Sequence, residues 1–191
     1  MADRAEQTKG SLVAPAHRRR SLRDLGHIAR RWGYGYEVAS VEKAEAPTDD
    51  GRPIAEGVLS AVELPCGVKF CANDLVASCD NERTAIVPPS LTVILEMHGG
   101  TTRYRQGSTA CSPGPGRAAV VAAADCSKLG GCYRRGDRSR SLVLQASPRD
   151  ILDEALQEEV HRGISTTAIR PLTVNGRLRS LANELFGALV A

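Results

Sequence analysis

The stretch Leu91–Arg105, LTVILEMHGGTTRYR, poses the central question of the fold. Leu91, Val93, Leu95 and Met97 alternate with Thr92, Ile94, Glu96 and His98, the period of two that gives a β-strand two distinct faces. Gly99 and Gly100 interrupt the pattern and TTRYR resumes it, so the stretch reads as two strands joined by a hairpin turn. Glu96 and His98 stand two apart, share a face, and could both reach one metal ion.

Outward from this stretch the same grammar repeats. Between about residues 36 and 146 the apolar groups are short: GVLSAVEL, GVKFCANDLVAS, TAIVPPSLTVILEMH, RAAVVAAAD and SRSLVLQA. Gly, Pro, Asn and Asp separate them, and no helical segment intervenes as a βαβ unit would require. An antiparallel sandwich or barrel follows as the expected middle of the chain.

Helices are expected at both ends. Residues 1–20 are polar and uneven and read as an arm, and SLRDLGHIARRWG then places Leu22, Leu25, Ile28, Ala29 and Trp32 at helical spacing after a Ser21/Asp24 capping pattern. Near the other end SPRDILDEALQEEVHRG offers Ser147 as cap, Pro148 as first helical residue and Gly163 as stop. A loop through Pro171 leads to a last amphipathic helix with Leu178, Leu181, Ala182, Leu185, Phe186 and Leu189 on one stripe. Such a stripe must be buried against the chain's own barrel or a second copy. The segments are therefore 1–35 (basic arm and amphipathic helix), 36–146 (β-barrel) and 147–191 (C-terminal helices).

Composition narrows the function classes. With 191 residues, 42% hydrophobic and 25% charged, the chain can bury an ordinary core, while an aromatic share of 4% leaves packing to aliphatic side chains. The net charge of +3 is small, yet six arginines fall within residues 17–31; their face reads as solvated rather than as a nucleic-acid helix. Cys66, Cys71, Cys79, Cys111, Cys126 and Cys132 contain no C-x-x-C pair and read as reduced thiols of a cytoplasmic protein. No apolar run reaches the 18 or so residues of a membrane span.

Reaction chemistry finds little purchase. The four histidines are His17, His27, His98 and His161, so only His98 lies in the β region, and with Glu96 it makes two ligands where a facial site needs three or four. There is no G-x-S-x-G elbow, phosphate loop or dinucleotide glycine pattern. The expectation is a non-enzyme with neither metal nor cofactor.

SRSLVLQASPRDILDEAL followed by IRPLTVNGRLRSLANELFG resembles the N-terminal regulatory region of AraC/XylS-type transcription regulators, in the branch that responds to iron-siderophores. Arg170, Leu172, Leu178, Leu181 and Ala182 carry the match, which covers about residues 57–190. The resemblance implies an α+β fold: an antiparallel, cupin-like β-sandwich or barrel with a short N-terminal helix and two C-terminal helices. It implies a small-molecule effector such as an iron-siderophore, a homodimer through the last helix, and DNA contact only through a helix-turn-helix region absent from this sequence. On this reading Ile94, Glu96, Arg103 and Tyr104 are the candidate effector contacts, an anionic chelate favouring Arg103 or Arg105. Leu178, Leu181, Leu185, Phe186 and Leu189 are the candidate dimer contacts. The rivals are a small cupin-type metalloenzyme and a truncated regulator that sequesters full-length partners.

Overall fold

The computed structural model describes residues 18–31, 35–40, 53–98 and 102–190. In chain order the elements are β1 (Arg18–Ser21), α1 (Leu22–Arg31), β2 (Gly35–Ser40), β3 (Pro53–Glu63), β4 (Lys69–Ala77), β5 (Asn81–Val87) and β6 (Ser90–His98). There follow β7 (Arg103–Gln106), β8 (Thr109–Cys111), β9 (Ala118–Ala123), β10 (Ser127–Tyr133), β11 (Arg138–Ala146), α2 (Glu154–Gly163), β12 (Ala168–Leu172) and α3 (Gly176–Val190). The strands form two antiparallel sheets, ordered β1-β3-β4-β11-β6-β9-β12 and β2-β5-β10-β7-β8.

The sheets face each other over an apolar layer. Ile94, Ala119, Val121 and Ile169 of the seven-stranded sheet meet Tyr104, Cys111 and Leu129 of the five-stranded one. The back of the larger sheet is covered by helices. There α3 lays Ala182, Phe186 and Leu189 onto Ala72, Leu95, Ala118 and Leu142, where two alanines leave room for the Phe186 ring. At the other end of that face Val160 of α2, with Ile151 and Ile164, packs on Ala122. The antiparallel architecture with one N-terminal and two C-terminal helices is the one expected from the sequence.

Four local expectations change. First, β6 and β7 are not hairpin partners: β6 lies between β11 and β9, whereas β7 pairs with β10 and β8 in the other sheet. The turn residues themselves lie outside the described residues. The reason is burial. Ile94, Leu95 and Glu96 are all buried, so β6 is covered on both faces and sits centrally, while the arginines alternating along β7 need water on one side.

Second, the segment read as a loop through Pro171 is a strand, β12, paired with β9. It occupies the sheet edge, where proline's missing N–H leaves no ladder bond unmade on the outer side.

Third, α2 begins six residues later than Ser147 suggested, capped by Asp153, whose Oδ1 accepts from Leu156 N at 2.8 Å. Tertiary contacts claim the intervening turn: Asp150 takes a 2.6 Å ion pair from Lys69, Leu152 N donates to Cys66 O at 3.3 Å, and Ile151 is buried.

Fourth, the last residues of the expected arm form β1, which pairs with β3 and leads directly into α1. The rest of the arm, residues 1–17, lies outside the described residues.

Candidate functional site

Between the sheets lies a cavity of about 200 Å³. The seven-stranded sheet contributes an apolar wall of Leu59, Leu75, Ile94 and Val143, and α1 closes one side with Leu25 and Ala29. Beside this wall sits a polar cluster in which Asn73 Nδ2 donates to Ser141 Oγ at 2.8 Å, with Ser139 adjacent. Cys71 also faces the cavity, and burial pushes its thiol pKa up to about 12, so it behaves as a small apolar group.

The opposite wall comes from the five-stranded sheet, where register decides what meets what. Arg83, Gly131 and Tyr104 lie side by side across β5, β10 and β7. Gly131 presents no side chain, and the Tyr133 ring lies over the space: a Cβ built on Gly131 would come within 3.2 Å of it. The Arg83 guanidinium carbon is 4.1 Å from the Tyr133 ring centroid, a cation–π contact. Its Nε donates to Asn81 Oδ1 at 2.8 Å, and Asn81 in turn donates to Cys79 O. Arg83 is only 9% exposed, and among the described residues no carboxylate pairs with it.

Tyr104 also reaches Glu96, donating to Oε1 at 2.6 Å across the gap between sheets. Burial holds the Glu96 carboxyl above its ordinary pKa, partly offset by this hydrogen bond. Burial, reinforced by neighbouring Tyr133 and Glu96, keeps the Tyr104 phenol protonated well past its usual range. Among the described residues Glu96 Oε2 finds no hydrogen-bond partner.

Of the sequence-derived contacts, then, Ile94 and Tyr104 line the cavity and Glu96 stands behind Tyr104. Arg103 and Arg105 are exposed, alternate strand neighbours of the buried Tyr104, and are not among the cavity-lining residues. The cation in the cavity is Arg83, which sequence reasoning passed over together with Tyr133, Asn73 and Ser141. The available signal was weak: Asn81 and Arg83 two apart in a strand, and a Gly-Gly pair just before Tyr133. Glu96 and His98 part company, because the ladder shifts register opposite them, between Arg140 and Ser141. His98 ends exposed, and the Asp74 carboxyl is held low chiefly by its hydrogen bond with Arg138. Among the described residues no group of three His, Cys, Asp or Glu side chains could hold a metal ion. No described helix is long and apolar enough to cross a membrane.

The candidate dimer stripe also divides. Phe186 and Leu189 are buried on the chain's own sheet and Leu185 packs beside them, whereas Leu178 and Leu181 are 43% and 53% exposed. A partner could reach only the latter pair without displacing the helix.

The domain is two antiparallel sheets with a cavity between them and helices on the back of the larger sheet, and the comparisons give its family. Residues 56–188 match the model of the regulatory protein PchR N-terminal domain. The chain belongs to that family of regulatory N-terminal domains. Solved structures similar to it include the AraC-like transcriptional activator CuxR, at 15% identity and a TM-score of 0.49, covering 91% of this chain and 59% of the other. They also include a cupin-like protein from Thermotoga maritima (8% identity, TM-score 0.32, 75% of this chain and 97% of that one). A third is the 7S globulin of Momordica charantia (11% identity, TM-score 0.32, 81% of this chain and 43% of that one). The chain thus spans well under two thirds of the CuxR structure. No curated protein matches it significantly.

Proposed function

We propose that this chain is the effector-sensing and dimerisation region of its regulator, with a small molecule bound in the cavity between the sheets. The observation that carries the reading is the cavity itself: about 200 Å³, apolar on one wall, with Asn73, Ser141, Arg83 and Tyr104 placed around it. That combination of apolar surface and a few convergent polar groups characterises small-molecule sites. The ligand acts by favouring one of two arrangements of α1 against the barrel, which a partner chain or a DNA-binding region then reads. Dimerisation on this reading uses the exposed Leu178 and Leu181 of α3.

An iron-siderophore is the effector that the resemblance implies. Pockets for drug-sized ligands run to roughly 300–1,000 Å³, so a whole chelate would enter only if α1 moved off the cavity. Native mass spectrometry of the protein incubated with a library of small metabolites tests the site. A bound molecule seen with wild type and lost in a folded Ile94→Trp variant, whose indole fills the cavity, is the expected result. The same adduct on both proteins would move the site elsewhere.

A further inference from the structure

We infer that the cavity takes a small organic anion, a carboxylate on a compact aromatic or branched aliphatic body, with Arg83 as its counter-ion. The inference rests on the effector reading and narrows it to a ligand class.

Charge comes first. A guanidinium cannot shed its proton in a protein, and moving it away from water is costly unless an opposite charge or several acceptors receive it. Arg83 is 9% exposed, lines the cavity, and among the described residues is held by Asn81 through Nε, with the Tyr133 ring against its face. Neither holder carries a charge. Glu96 has Oε1 committed to Tyr104 and is not among the residues lining the cavity. Every other described side chain that lines the cavity is neutral at physiological pH. The terminal nitrogens of Arg83 thus present a fork suited to two carboxylate oxygens.

Orientation is built in as well. The Asn81 bond and the Tyr133 ring fix both the edge and the face of the guanidinium, so little rotamer freedom remains to be lost on binding. Gly131 favours this arrangement, since a Cβ there would crowd the Tyr133 ring at 3.2 Å.

Size and lining then describe the rest of the ligand. A cavity of about 150 Å³ accepts a benzene ring, so 200 Å³ accommodates a ring or branched chain bearing one carboxylate. Leu59, Leu75, Ile94 and Val143 offer apolar contact to that body.

Benzoate, benzamide and benzylamine are near-isosteric probes that differ in charge. With the full 191-residue chain, benzoate raises the melting temperature in a concentration-dependent way and gives saturation-transfer NMR signals, while the other two do neither at the same concentration. Arg83→Met weakens benzoate binding at least about tenfold, the scale of one charge-assisted contact. Its melting temperature without ligand stays close to wild type, because replacing a buried cation by an apolar isostere is commonly neutral or stabilising. Arg83→Lys retains part of the binding. Equal binding of benzamide and benzoate, with Arg83→Met unaffected, overturns the anion and leaves the cavity reading standing. Benzoate binding that survives in Ile94→Trp overturns both.

Discussion

Tyr104 on β7 and Glu96 on β6 are eight residues apart in sequence and sit in different sheets, joined by a 2.6 Å hydrogen bond through the interior. The bond satisfies one oxygen of a carboxyl that is 1% exposed. Tyr104→Phe leaves both oxygens without a partner among the described residues, at a cost of about 1–3 kcal/mol seen as a lowered urea midpoint. Glu96→Gln costs less, since the amide oxygen still accepts from Tyr104 and no charge is buried.

The same pair sets a pH dependence. Glu96 in the folded chain holds its proton above the ordinary 4.5, so between those values the native state binds more protons than the unfolded one. Stability from this group is complete below the ordinary value and declines as pH rises through the raised one. Tyr104→Phe removes the interaction that opposes the shift, which moves the decline to higher pH. Melting curves from pH 4 to 8 should therefore show a component falling with pH in wild type and missing from Glu96→Gln.

On α3 the prediction separates stability from assembly. Phe186, 1% exposed, fills the space above Ala72 and Ala118, and Phe186→Ala should destabilise by about 3–5 kcal/mol. Leu181→Asp, at a position 53% exposed, should leave the melting temperature nearly unchanged and convert a dimer to monomers in light scattering. A wild-type chain that is monomeric at high micromolar concentration removes α3 as a dimer surface.

Thiol chemistry reads the cavity. Cys126 and Cys132 are exposed, whereas Cys71 is buried with its pKa pushed up to about 12. Brief iodoacetamide treatment of the native protein, followed by peptide mapping, should label the first two and spare Cys71. Labelling of Cys71 at the rate of Cys126 would show the space between the sheets to be open to solvent.

Gly67 supports the turn after β3. Its φ of +88° is a region that side chains avoid, and a Cβ there would overlap the Asp150 carbonyl. Gly67→Ala should cost at least about 1–3 kcal/mol and loosen the Ser147–Leu152 segment, visible as faster amide exchange at Leu152.

Much of the fold was legible because burial writes itself as periodicity. Leu91–His98 alternates, and the structure assigns its odd residues to the helix-covered face and Ile94 to the cavity. α1 began where Ser21 and Asp24 suggested. Sequence spacing could not say which strand lies beside which. Arg83 and Tyr104 line one cavity only because β10 stands between β5 and β7 in register with both, and that long-range register is invisible in any local window. The Ser147 cap failed for a related reason: Lys69, 81 residues away from Asp150, outbids a good helical start. Arg103 looked the better anion partner from spacing near Tyr104, yet the alternation that buries Tyr104 turns its neighbours outward.

The seven-stranded sheet has one further consequence. On β4 Cys71 and Asn73 face the cavity and Ala72 touches α3; on β6 Ile94 and Leu95 divide the same way, and on β11 so do Ser141, Leu142 and Val143. Whatever occupies the cavity is therefore separated from α3 by a single thickness of backbone. A ligand that widens the gap beneath Ile94 presses on Leu95 one peptide unit away, and a signal needs no longer route than that to cross the domain.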